Sequence, residues 1–154
     1  MDMADLIDVE SITPSAEPRS KKQALQEIAR MAEKRTGVKY DRIVDALLKR
    51  ERLGSTGVGH GVAIPHAKLA KLDGIVGLFA RLRRPVDFDS VDGEPVDLMF
   101  LLLAPENASA EHLKALAEVS RQLRSAPVRD ALRQAGSADG LYQALVQERA
   151  GAST

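Results

Sequence analysis

Val96-Asp97-Leu98-Met99-Phe100-Leu101-Leu102-Leu103 is apolar at every position except Asp97, and Pro105 stops the run. A strand with one wet face alternates apolar and polar residues. An unbroken apolar run predicts a central strand covered on both faces. Ahead of it, Ile75 to Leu82 sets Val76, Leu78, Ala80 and Leu82 on one side and Ile75, Gly77, Phe79 and Arg81 on the other, which is strand periodicity. Asp92-Gly93 marks a turn between the two. Val62-Ala63-Ile64 reads as a short buried strand.

Helical patterns flank these strands. Ser20 followed by Gln23 fits a capping box that starts a first helix, with Leu25, Ile28, Met31 and Ala32 on one face. Gly37 ends it as a left-handed cap. Asp41 is expected to cap a second helix with Ile43, Val44, Leu47 and Leu48 buried, closed by Lys49, Arg50, Glu51 and Arg52. Asn107 or Ser109 should cap a third, with Leu113, Leu116, Ala117, Ser120 and Leu123 inward. Pro127 suits the first turn of a short helix that Gly136 ends. Ser137 starts a last helix with Leu141, Leu145 and Val146 inward. Helices before and after the strands predict an α/β sheet with helices on both faces. Residues 1–19 read as a partly ordered lead-in, with Leu6, Ile7, Val9 and Ile12 able to form a short edge segment. Residues 149–154 read as a frayed tail.

The totals narrow the function. The chain has 154 residues, 44% of them apolar, which suits one domain with its own core. Lys and Arg number 22 and Asp and Glu 22. That balance argues against nucleic-acid binding, which wants a concentrated basic surface. No cysteine is present, so disulfides and thiolate metal sites are excluded. No run approaches the ~20 apolar residues of a membrane-spanning helix. The acidic start Met-Asp-Met-Ala-Asp is unlike a signal peptide, and a cytoplasmic protein is expected.

The chemistry concentrates between residues 54 and 67: Gly54-Ser-Thr-Gly-Val-Gly-His60-Gly-Val-Ala-Ile-Pro-His66-Ala67. Closely spaced glycines let backbone N–H groups approach an anion, Gly57 and Gly59 among them. The Ser55 and Thr56 hydroxyls are ready donors beside one. Pro65 fixes its own φ and extends Ile64, so His66 is delivered in a set direction. A neutral imidazole there is a nucleophile. His60, between two glycines, reads as a loop tip. His112 falls in the first turn of a predicted helix, where the dipole disfavours imidazolium and leaves a neutral ring able to donate to an anion. Asp97 is either a satisfied polar residue or a group that orients a histidine. The loop is no nucleotide P-loop, because the order G-x-x-x-x-G-K-[ST] is absent.

This stretch resembles the active-site signature of the IIA proteins of the bacterial phosphoenolpyruvate-dependent phosphotransferase system. The resemblance continues through Leu78–Leu82, Pro85–Phe88, Asp92-Gly93, Val96–Pro105 and Glu111-His112-Leu113-Lys114. It covers residues 6–148, and the middle segment points to the nitrogen-regulatory branch. It implies a single domain on a mixed, roughly five-stranded sheet flanked by helices. It implies that His66 is phosphorylated at Nε2, that His112 is the second active-site histidine, and that Arg50 helps hold the phosphoryl group. Ser55, Thr56, Gly57 and Gly59 become candidate phosphate ligands. The sequence departs from the family pattern at His60, where many relatives carry asparagine or another polar residue. The resemblance further implies an HPr-like phosphocarrier of the nitrogen branch as donor. Its regulatory targets would be potassium-transport or stress-signalling proteins, with no cofactor or metal and no membrane insertion. A fructose- or mannitol-specific IIA component that passes phosphate to a membrane transporter is the alternative. A zinc enzyme using His60, His66 and His112 is a further one.

Overall fold

The structure, a computed structural model, describes residues 1–147. The tail expected to fray, 149–154, lies outside the described residues. The elements in chain order are α1 (Met3–Leu6), β1 (Ile12–Ala16), α2 (Lys21–Thr36), α3 (Tyr40–Arg52), β2 (Gly57–Gly59), β3 (Val62–Ala63), β4 (His66–Leu69), β5 (Val76–Val86), β6 (Val96–Pro105), α4 (Ser109–Arg124), α5 (Ala126–Gln134) and α6 (Ala138–Val146). A 3-10 turn, Val9–Ser11, precedes β1.

Among the described residues the strands form one mixed sheet in the order β1-β5-β6-β3-β2, with β4 also paired to β6. β1 is parallel to β5, and β5 is antiparallel to β6. β3 and β4 both run parallel to β6, one after the other: Val62 and Ala63 face Leu98 and Met99, and His66 faces Leu102. They are one line of sheet broken at Ile64-Pro65, so six strands occupy five positions. Proline has no N–H for the ladder, which explains the break.

β6 is central and covered twice, as its apolar run requires. Met99, Leu101 and Leu103 belong to one buried cluster with Leu25, Ile28, Ile43 and Leu47 of α2 and α3. Leu98, Phe100 and Leu102 belong to the other, with Val119, Leu132 and Leu141 of α4, α5 and α6. Burying each such side chain contributes roughly 1.5–3 kcal/mol.

Several local expectations shift. Ser20 caps α2 and accepts from Gln23 N, but the Gln23 side chain accepts from Arg19 N rather than from Ser20. Gly37 holds φ 78 at the C-cap, as expected. Asp41 lies inside the first turn of α3, and Lys39 takes the cap position. The Tyr40 N–H is satisfied by Glu33 of α2 instead. Ala108, neither Asn107 nor Ser109, caps α4, and the Ser109 hydroxyl is engaged by Lys68. Ala135, not Gly136, ends α5, and its carbonyl accepts from Arg81.

Residues 1–19, expected as a partly ordered lead-in, supply α1 and β1, and Met3, Leu6, Ile7 and Ile12 are buried. Gly77 shows how closely this segment packs. A Cβ there would meet the Leu6 carbonyl at 2.5 Å and the Phe100 ring at 2.9 Å.

The inward face of α4 also differs. Leu113 is 70% exposed, while His112, Ala115, Val119 and Gln122 are buried. Gln122 donates to the Leu145 and Gln147 carbonyls, so a buried amide takes a place that hydrophobicity alone gives to leucine.

Candidate active site

The break at Pro65 builds the site. With no ladder partner at Pro65 N, the chain re-enters the sheet at His66. The His66 Nδ1 lies 2.8 Å from the Ile64 carbonyl oxygen. A carbonyl only accepts, so Nδ1 carries the proton. The Nε2 lone pair is then free, and it accepts from Arg50 Nε at 3.2 Å. Arg50, near the end of α3, is itself anchored: its guanidinium donates to the Gly54 carbonyl at 2.8 Å. His112 enters from the first turns of α4. The two imidazole centroids are 5.6 Å apart, edge to face. The His112 Nε2 is buried and, among the described residues, has no hydrogen-bond partner.

Both rings are held neutral. Burial pushes the His66 pKa below its ordinary value, and the Arg50 charge adds to this against the opposing pull of the Ile64 carbonyl and Glu51. Burial lowers His112 too, and the Lys68 charge, together with the cost of a second cation beside His66 were both rings protonated, acts in the same direction. A neutral His66 with an exposed lone pair is a nucleophile.

These groups share one open cleft of about 570 Å³ with Leu53, Lys68 and Leu113. Leu53 is 83% exposed, so with Leu113 it sets apolar side chains along the cleft that holds the two imidazoles. The sequence reading missed Lys68 and Leu113. Strand alternation offered a signal for Lys68, which lies two residues beyond His66 and so on the same face of β4.

The glycine loop, with the four proposed phosphate ligands Ser55, Thr56, Gly57 and Gly59, lies outside this cleft. None of residues 54–59 lines the cleft. The Ser55 hydroxyl donates to the Phe88 carbonyl and accepts from Gly57 N. The Thr56 hydroxyl and N–H both bond the Glu51 carboxylate, which also pairs with Lys21 at 2.9 Å. Gly57 packs against Ser90, and Gly59 against Asp92, where a Cβ would crowd in. The loop therefore braces the end of α3, which carries Arg50.

His60 stands apart. Its φ is 58, its N–H donates to Asp92, and its carbonyl accepts from Arg133. Asp97 forms a bidentate pair with Arg133, at 3.0 and 2.9 Å, so it is a satisfied polar residue and orients no imidazole. Gly61, at φ 77, lets Arg133 and Asp97 come this close. With His60 elsewhere, the zinc alternative loses its third histidine, and among the described residues no three metal-ligating side chains converge.

Fold and site together define the class. The family model described as "Phosphoenolpyruvate-dependent sugar phosphotransferase system, EIIA 2" matches residues 5–148, and the chain belongs to this family. Its relatives narrow the branch to nitrogen regulation. The chain is 54% identical over 145 residues to a "Nitrogen regulatory protein" of Bradyrhizobium diazoefficiens, covering 94% of this chain and 95% of that one. It is 44% identical over 133 residues to the protein of the same name in Pseudomonas aeruginosa, covering 86% of each. Its fold is similar to that of the crystal structure of nitrogen regulatory protein IIA-Ntr from Neisseria meningitidis, with a TM-score of 0.88, 36% identity, and 93% and 98% of the two chains covered. No helix among the described residues is long and apolar enough to cross a membrane.

Proposed function

We propose that this protein is a cytoplasmic phosphoryl-carrying regulator. It accepts a phosphoryl group from an HPr-like phosphohistidine carrier onto His66 Nε2 and signals through contacts that depend on that group. One observation carries the reading: Nδ1 is held by the Ile64 carbonyl while Nε2 faces the cleft.

In the transfer, the Nε2 lone pair attacks phosphorus. The donor's N–P bond breaks and its electron pair returns to the donor imidazole. The proton on His66 Nδ1 stays in place. Charge spreads over three equatorial oxygens in a loose transition state. Arg50 moves from Nε2 to one of them, still tethered by Gly54, and His112 donates to another. Fixed donors of this kind are worth most where water is excluded. The phosphoryl group brings up to two negative charges into the cleft that Leu53 and Leu113 line, one of them offset by the ring that keeps its Nδ1 proton. A partner that packs on those side chains meets an apolar, cationic cleft in one state and an anion in the other. That difference is the switch, with potassium-transport or stress-signalling proteins as its targets.

The test is incubation with radiolabelled phosphoenolpyruvate and the phosphorylating carrier proteins. The expected result is acid-labile label on the wild type and none on His66→Ala. A wild type that takes no label sinks the reading. Efficient passage of label to a sugar transporter would replace the regulatory output with the sugar-specific one.

A further inference from the structure

We propose a second anion site, remote from His66, in which Arg19, Arg83 and Arg84 hold a small ligand through its phosphoryl groups. The three arginines line one recess of about 220 Å³ with Glu17 and Pro18. Arg83 and Arg84 are consecutive in β5, and in a regular strand consecutive side chains point to opposite faces. Here the pairing is interrupted. Between the pairs Arg81–Leu98 and Val86–Val96, residues 82 to 85 face Asp97 alone. That bulge exposes both arginines and lets both reach the same recess.

The charge there is not balanced. Glu17 pairs with Arg83 at 2.8 Å. Among the described residues, Arg19 and Arg84 have no ion-pair or hydrogen-bond partner for their guanidinium groups. The chain as a whole is neutral, so this surplus is local. The recess lies just past the last parallel pair of β1 and β5, Ala16–Leu82. α2 begins two residues after Arg19, and the positive end of its dipole has the same sign. Guanidinium forks match phosphoryl oxygens in pairs, which ammonium groups do not. The volume falls below the ~300–1,000 Å³ of pockets that enclose a whole drug-sized ligand. It suits a phosphoryl group or a pair of them, with any remaining ligand outside.

Titration of isotope-labelled protein with inorganic pyrophosphate, followed by amide shifts and calorimetry, tests this. We expect saturable shifts at residues 17–19 and 83–84, and unchanged affinity in His66→Ala. Arg19→Ala/Arg84→Ala should weaken binding about tenfold or more, and Arg19→Lys/Arg84→Lys by less, because charge remains while the fork is lost. ADP serves as a second ligand. Tighter binding than pyrophosphate identifies a nucleotide as the source, and equal binding identifies the free phosphoryl anion. Shifts confined to the His66 cleft, an alanine double variant that binds like wild type, or no saturation at millimolar pyrophosphate would overturn the proposal.

Discussion

The glycine loop and the His66 cleft sit side by side in sequence and differ in what their polar groups do. In the loop, Ser55, Thr56 and the His60 backbone are all occupied by protein partners. In the cleft, His112 Nε2 is buried without a partner among the described residues, and His66 Nε2 is met by the Arg50 side chain. Buried polar groups are normally satisfied, so an orphan beside a nucleophile marks a place built for something that arrives later. The loop's polar groups are spent on the protein itself, and on the proposed reading those of the cleft are left for transfer.

Substitutions can break that division. The largest effect is expected in the cleft. Arg50→Ala and His112→Ala should each slow phosphoryl transfer about 10²-fold or more, by the magnitude of losing one transition-state donor. Their thermal stability should move little. Equal loss of stability and rate on denaturation would place these residues among the bracing groups instead.

Next comes Thr56→Val. It removes a bond to the largely buried Glu51 carboxylate. Leaving such a group short of a partner costs roughly 1–3 kcal/mol. Urea denaturation should show that loss while the transfer rate stays within about twofold. A large rate loss with intact stability would return Thr56 to the phosphate ligands.

Acid should act on the cleft through both histidines. Their folded pKa values lie below the ordinary imidazole value of about 6.5, so the unfolded chain binds more protons just below that pH. This stabilisation is fully present above about pH 6.5 and is lost as pH falls through the folded values. Unfolding free energy should therefore drop between pH 7 and pH 5, and less so in His66→Ala/His112→Ala. Transfer should be flat through neutral pH, because His66 keeps its lone pair there.

The smallest effect belongs to His60→Asn. Asparagine tolerates the left-handed conformation that His60 adopts. Transfer should be unchanged and stability should stay within about 0.5 kcal/mol.

Much of this arrangement was legible in the chain. The apolar run of β6 predicted a strand covered twice, and Pro65 predicted a directed His66. Ser20 and Gly37 bounded α2. What hid was whatever depends on a distant partner. Gln122 is held inward by the carbonyls of residues 145 and 147, and Leu113 of the same helix is turned out to the cleft rim. Ser55 and Thr56 looked like ligands because their partners, Phe88 and Glu51, are not visible in a local pattern. Arg50 could not be joined to His66 by spacing; α3 and β4 meet only in three dimensions.

The central claim is that the Ile64 carbonyl selects Nε2 of His66 as the acceptor. Nitrogen–phosphorus correlation spectra of the phosphorylated, 15N-histidine-labelled protein report it directly. The account predicts phosphorus on Nε2 of His66 with the Nδ1 proton retained. Phosphorus on Nδ1, or on His112 or His60, would contradict it.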